Sequence, residues 1–189
     1  DYNRSGNPLL EVVTEPELES PEEAREFMKQ LITLLGYLGI FDINNCIIKA
    51  DANVSVKESN YLRVEIKNIT GFKEIERALR YEVERQKKEI EEARKIKQET
   101  RAWDSDSGVT FSLRTKETEE DYGYILEPDL TLVEITDKWV NEIKKEMPEL
   151  AHDKIAKFVE KHKLKKEDAE IIAAEKEIAE LFEKVAEHV

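Results

Sequence analysis

The stretch "NPLLEVVTEPEL", residues 7–18, holds Glu11 inside an otherwise apolar, β-branched run. An ionised carboxylate is among the costliest groups to take out of water, which raises the question of what Glu11 does there. Two more acids sit in strand-like segments, Asp51 in "CIIKADANVSV" and Glu65 in "YLRVEIKN". Hard cations such as Mg²⁺ take oxygen ligands, often one or two carboxylates with waters and substrate phosphates, and a divalent ion removes the repulsion between clustered acids. Glu11, Asp51 and Glu65 are therefore candidate metal ligands. Lys67, Arg101, Arg114 and Lys116 lie on or beside the same expected strands, where guanidinium forks and ammonium groups can clamp phosphate oxygens. For both groups the plainer alternative is a solvated sheet face whose charges pair across strands, and that is the commoner origin of such a pattern.

A second basic feature lies near the C-terminal end. Residues 152–166, "HDKIAKFVEKHKLKK", carry Lys154, Lys157, Lys161, Lys163, Lys165 and Lys166 on an expected helix and its exit. They suit phosphate contacts, or else form a solvated helix face balanced by the glutamates that follow. His152, His162 and His188 have no neighbouring Ser, Cys or carboxylate pattern that would suggest nucleophilic catalysis. The run "DSDSG", residues 104–108, has the composition of a calcium loop, but its glycine comes one residue early and Thr115 stands where the bidentate Glu is needed. It reads as a turn.

The elements that must position these residues follow from periodicity. Leu9 to Thr14 reads as a short buried strand ended by Pro16. Ser20 then offers an N-cap with Glu23 three residues on and Pro21 at the first helical position, and Ala24, Phe27, Met28, Leu31, Leu34, Leu35 and Leu38 recur at helical spacing before Gly39. In the next segments Ile48, Ala50, Ala52, Val54 and Val56 alternate with Lys49, Asp51, Asn53 and Ser55, and Leu62, Val64 and Ile66 alternate with Arg63, Glu65 and Lys67. Period two predicts an antiparallel hairpin. Any register that keeps its apolar side together puts Asp51 and Glu65 on one polar face, roughly 5 to 8 Å apart. A long helix is expected from about Lys73 to Lys97 with Ile75, Leu79, Val83, Gln86, Ile90 and Ala93 inward, followed by a second hairpin from "QETRAWD" and "VTFSLRT". Beyond Pro128 the pattern becomes wholly helical, which places a domain boundary near residue 134 and divides the chain into 1–133 and 134–189. The expected fold class is α+β: an antiparallel sheet with packed helices, then a small all-helical domain.

Composition narrows the function classes. With 30 Lys and Arg against 43 Asp and Glu, the formal charge of −13 opposes indiscriminate nucleic-acid binding, so a polyanionic partner must meet a local basic surface. No apolar run approaches the roughly 20 residues needed to span a bilayer. The lone cysteine, Cys46, excludes an intrachain disulfide and a multi-cysteine zinc site, and suits a reducing, cytoplasmic setting in which it packs into the core. The chain opens at Asp1 on what reads as the continuation of a motif, as expected of a piece of something longer.

Taken in order, "DYNRSGNPLLEVVTEPEL", "SPEEAREF", "ADANVSV", "VEIKNITGFKEIERALRYEVERQ", "QETRAWD", "LRTKE" and "DYGYILEPDL" closely resemble the B subunit of the aspartyl/glutamyl-tRNA(Asn/Gln) amidotransferase family. The related archaeal E subunit is less similar around "EIKNITGFKEIERALRYE". The resemblance is strong from Asp1 to about Leu132 and continues more weakly through "MPELAHDKIAKF".

The resemblance implies the later part of a glutamine-synthetase-like catalytic cradle and part of a helical domain, without the start of the cradle or the tail domain. It implies an ATP-dependent carbon–nitrogen ligase with ATP and Mg²⁺ as cofactors, acting on mischarged Glu-tRNA(Gln) or Asp-tRNA(Asn). The partners it implies are an amidase (A) subunit that supplies ammonia and a small C subunit. The implied metal ligands are Glu11, Asp51 and Glu65, and the implied contacts to ATP or acyl phosphate are Lys67, Arg101, Arg114 and Lys116. Lys154, Lys157, Lys161, Lys163 and Lys165 fall where the resemblance places a tRNA-holding module. The chain departs from the family pattern in "DYGYILEPD", where Gly123 replaces an arginine. The competing expectations are a non-catalytic tRNA-binding or assembly module of the same fold, and a purely structural acidic α+β domain.

Overall fold

The computed structural model describes residue 6 and residues 9–42, 46–115 and 130–188. Among these residues the fold is α+β, with a four-stranded mixed sheet and six α-helices. Helix α1 (Pro21–Tyr37) begins as its sequence demands: the Ser20 hydroxyl accepts from Glu23 N at 3.1 Å, Pro21 opens the first turn, and Glu23 reaches back to Glu19 N. Strands β1 (Lys49–Val54) and β2 (Val64–Thr70) form the expected antiparallel hairpin. Helix α2 (Phe72–Glu91) then crosses to β3 (Glu99–Asp104), and β4 (Val109–Thr115) closes the second hairpin, giving the order β1-β2-β3-β4.

The middle pair differs from the expected all-antiparallel sheet. β2 and β3 run parallel, with Glu65 beside Thr100 and Lys67 beside Ala102. The reason is the connection: strands joined through a 20-residue helix can run in the same direction, whereas a tight turn reverses them. Helix α2 also stops sooner than the expected Lys97. Ala93 takes a left-handed backbone (φ 56°), and the N–H groups of Ala93 and Arg94 turn back onto Ile90 and Glu89 carbonyls, ending the helix.

One face of the sheet is covered by α1 and α2. Ala52, Val54, Ile66, Ile69 and Trp103 pack there against Ala24, Met28, Ile75 and Ala78 in one apolar cluster. The opposite face carries Asp51, Asn53, Glu65 and Lys67. After residue 134 the described secondary structure is helical: α3 (Asp137–Glu146), α4 (Ala151–His162), α5 (Lys166–Ala173) and α6 (Lys176–Ala186). Phe158, Ala169, Ala173 and Ala179 bury together with Tyr37 from the end of α1. Tyr37 Oη donates to Ala173 O at 3.0 Å and Tyr37 O accepts from Lys176 Nζ at 3.2 Å, so α1 is pinned to the α5–α6 region by both ends of one residue. No helix among the described residues is long and apolar enough to cross a membrane.

Candidate functional site

Asp51 and Glu65 meet around one ammonium group on the sheet face turned away from α1 and α2. Lys67 Nζ lies 2.7 Å from Asp51 Oδ2 and 3.3 Å from Glu65 Oε1. The hairpin register explains this convergence. Asn53 opposes Glu65 and Ala52 opposes Ile66, but Ala50 opposes Ile69, so the single residue Asp51 faces the two residues Lys67 and Asn68. This bulge tightens the strand locally and aims Lys67 at Asp51. The hydrogen bond to Asp51 raises the Lys67 ammonium above the ordinary lysine range against the opposing cost of burial, so the cation is firmly charged. Thr100, buried on the neighbouring strand, donates its hydroxyl to Glu65 Oε2 at 3.0 Å.

The other expected site residues are placed differently. Glu11 is exposed and belongs to no strand or helix; Leu9 is 94% exposed and Val13 80%. The expected buried strand from Leu9 to Thr14 is thus absent, because a β-branched run becomes a strand only where a neighbour pairs with its backbone, and no described strand does. Arg101 is on β3 but points to the helix-covered face. Its Nε donates to Thr110 Oγ1, its Nη2 to Thr110 O and its Nη1 to Glu99 Oε1, each at 2.8 Å. Arg114 occupies the β4 position opposite Thr100, and Lys116 lies outside the described residues. Cys46, expected in the core, is exposed.

Beneath the covered face lies a buried carboxylate that the sequence pattern did not single out. Glu82 of α2 is wholly buried and receives Arg85 Nε and Nη2 at 2.9 and 2.6 Å, Gln86 Nε2 at 3.0 Å and the Thr110 hydroxyl at 2.9 Å. Arg101 Nε stands 3.5 Å from it. Its signal was Gln86, one turn on and expected inward: polar residues four apart on an inward helix face are paired to each other. Partial burial works against the nearby Glu99 charge, but hydrogen bonds from Ser112 and Arg101 outweigh it and hold the Glu99 carboxyl below its ordinary range.

In the helical part, two of the six lysines are engaged across to another helix, and Lys166 pairs with Glu170 on its own helix at 3.6 Å. Lys154 is buried, and Lys154 and Lys157 both reach Glu183 of α6, Lys157 at 2.6 Å, with Glu149 at 3.3 and 3.7 Å. Burial opposes both charges of the Lys154–Glu183 pair, yet the hydrogen bonds win, raising Lys154 and lowering Glu183. Lys161, Lys163, Lys165 and Lys166 are exposed.

Among the described residues no group of three or more His, Cys, Asp or Glu side chains could hold a metal ion by itself. Two carboxylates gathered around one cation are nevertheless a donor set that a hard divalent ion accepts when phosphates and waters complete its shell.

The fold and this geometry accompany a clear likeness to known proteins. Residues 1–141 match the family described as the GatB/GatE catalytic domain. The B subunit of aspartyl/glutamyl-tRNA(Asn/Gln) amidotransferase from Thermodesulfovibrio yellowstonii is 47% identical over 189 residues, covering 97% of this chain and 40% of the relative. The proteins of the same name from Methanocaldococcus jannaschii and Thermotoga maritima are each 44% identical, over 187 and 191 residues, covering 98% and 97% of this chain and 39% of each relative. The chain therefore spans about two fifths of the length of these relatives.

Proposed function

The chain belongs to the GatB/GatE catalytic-domain family, and from that premise we propose that it forms part of the ATP- and Mg²⁺-dependent subunit of a tRNA-dependent amidotransferase. The reaction proposed is transfer of the ATP γ-phosphoryl group to the side-chain carboxylate of Glu (or Asp) mischarged on tRNA. Ammonia from a partner amidase subunit then displaces phosphate and leaves the amide. A carboxylate is a poor acceptor for ammonia, and an acyl phosphate carries the leaving group it lacks.

Asp51 and Glu65 would hold Mg²⁺, which when bound supplies charge neutralisation to phosphate oxygens. Lys67 orients the two carboxylates toward one point and, with two of its three donors turned to them, keeps one for a phosphoryl oxygen. Arg114, at the register position beyond Thr100, is the remaining cation of the expected set on a strand of this site. Arg101, paired beneath the sheet, instead holds the β3–β4 hairpin on α2. The observation that carries the reading is the convergence of Asp51 and Glu65 around a cation on the sheet face turned away from α1 and α2, in a chain of this family.

The test is Glu65→Gln in the full-length subunit within its assembled complex. The variant keeps shape and loses one ligand charge. ATP-dependent amidation of mischarged tRNA should fall by at least about 100-fold, the larger end of the effect of disturbing a metal site. Unchanged turnover would return Glu65 to a surface ion pair.

A further inference from the structure

We infer that Thr100 positions Glu65 for cation binding, an inference that rests on the function proposed above. Three observations meet at this residue. Thr100 is 2% exposed on β3 and stands directly beside Glu65 in the parallel β2–β3 register. Its hydroxyl donates to Glu65 Oε2 at 3.0 Å. The other carboxylate oxygen, Oε1, is the one that approaches Lys67 Nζ, which in turn holds Asp51.

The consequence is that the two oxygens of Glu65 are given different tasks. A free glutamate side chain turns about several bonds, and an ordered one must recover that lost freedom through its contacts. Here a neutral donor fixed in the sheet bonds Oε2, while Oε1 approaches the Lys67 ammonium beside Asp51. The donor is itself well fixed: Thr is stiff about its first side-chain bond, and a buried hydroxyl with no acceptor would carry a desolvation cost. Glu99 and Arg101 turn to the helix-covered face, where they bond each other, Ser112 and Thr110. Groups that orient ligands from behind in this way change metal affinity or activity by about 10- to 100-fold when removed.

The experiment is Mn²⁺ titration, followed by electron paramagnetic resonance, of the full-length subunit in its assembled complex. Thr100→Val keeps the shape and strand propensity and removes the hydroxyl; Thr100→Ala removes it with a smaller side chain; Thr100→Ser restores it. The Val and Ala variants should bind Mn²⁺ at least about 10-fold more weakly, and the Ser variant should stay close to the parent. Glu65→Gln is measured alongside. If Glu65→Gln weakens Mn²⁺ binding and Thr100→Val does not, the positioning role is overturned while the cation site stands. If Glu65→Gln itself leaves Mn²⁺ affinity unchanged, the site reading fails first. Equal weakening in the Ser and Val variants would assign the effect to packing and also overturn the role of the hydroxyl.

Discussion

Ile66 and Ile69 are both wholly buried on the same side of β2, three residues apart, where a regular strand would turn them to opposite faces. The bulge at Lys67 and Asn68 resolves this conflict: Asp51 opposes both residues, Ile69 returns to the core beside Ala50, and Lys67 remains on the face opposite the helices. Asn68 makes it feasible by adopting a left-handed backbone (φ 69°), a region that Asn and Gly enter far more easily than branched residues. Its side-chain amide also reaches Trp103 O at 3.5 Å. Asn68→Gly is therefore expected to change stability by less than about 1 kcal/mol, and Asn68→Val to cost about 1–2 kcal/mol. Urea unfolding of both variants checks it; equal stabilities would remove the bulge as the reason for this residue.

The buried Glu82 network yields a second prediction. Arg85 and Arg101 are only 16% and 12% exposed at their side chains, so removing their shared carboxylate leaves two cations in a poorly hydrated place with Glu99 to share, and strips the bonds to Gln86 and Thr110 as well. Glu82→Ala should cost about 3–5 kcal/mol. Arg101→Lys, which keeps the charge but loses the fork to Thr110 and Glu99, should also destabilise, by about 1–2 kcal/mol. Denaturant unfolding reads both. A weakened ATP affinity in Arg101→Lys at unchanged stability would instead return Arg101 to phosphate binding.

These two cases show what a single strand can and cannot reveal. The Asp51–Glu65 face was legible because hairpin parity is local: apolar residues in one period leave the polar ones together. The cap at Ser20 was legible for the same reason. The face chosen by Arg101 was not, because it depends on the parallel register of β3 against β2, which no pattern within "QETRAWD" contains. Within that one motif the alternation of the strand separates Thr100 from Arg101, and the arginine is the residue that drew notice as a phosphate ligand. The strand expected around Glu11 was misread for a different reason. Its run has strand-forming residues, but a strand is a property of two backbones, and the described sheet offers it no partner.

Tyr37 predicts an alkaline loss of stability. Burial, reinforced by the carboxylates of Glu183, Glu180, Glu149 and Glu177, raises its phenol to about 12. An unfolded tyrosine ionises near pH 10, so the folded state favours the neutral form. That contribution is complete below about pH 10 and is lost as pH rises through about 12, amounting to roughly 2–3 kcal/mol. Tyr37→Phe removes the ionisation and the bond to Ala173 O together. It should be less stable than the parent at neutral pH by about 1 kcal/mol and show a flatter decline across the alkaline range. Parallel pH profiles for the two proteins would refute this assignment.

The final prediction concerns how an acidic chain would hold tRNA. Of the basic stretch, Lys154 and Lys157 are committed to Glu183 and Glu149, and reversing either charge would place a third carboxylate in that cluster and disturb α4 against α6. Lys161, Lys163 and Lys165 are exposed at the end of α4 and the turn after it, where Lys163 takes a left-handed backbone (φ 57°) and the chain changes direction. They are the lysines able to meet phosphates without unmaking the fold. Replacing these three by Glu in the full-length subunit should leave thermal stability nearly unchanged and ATP affinity intact. It should weaken tRNA binding and lower the slope of log affinity against log salt by up to about 2–3, since every phosphate that a lysine no longer neutralises keeps nearly one counterion that binding would have released. Filter binding across a salt series measures both quantities. An unchanged affinity and slope would make the stretch a solvated helix end, and the polyanion would have to be held by another surface.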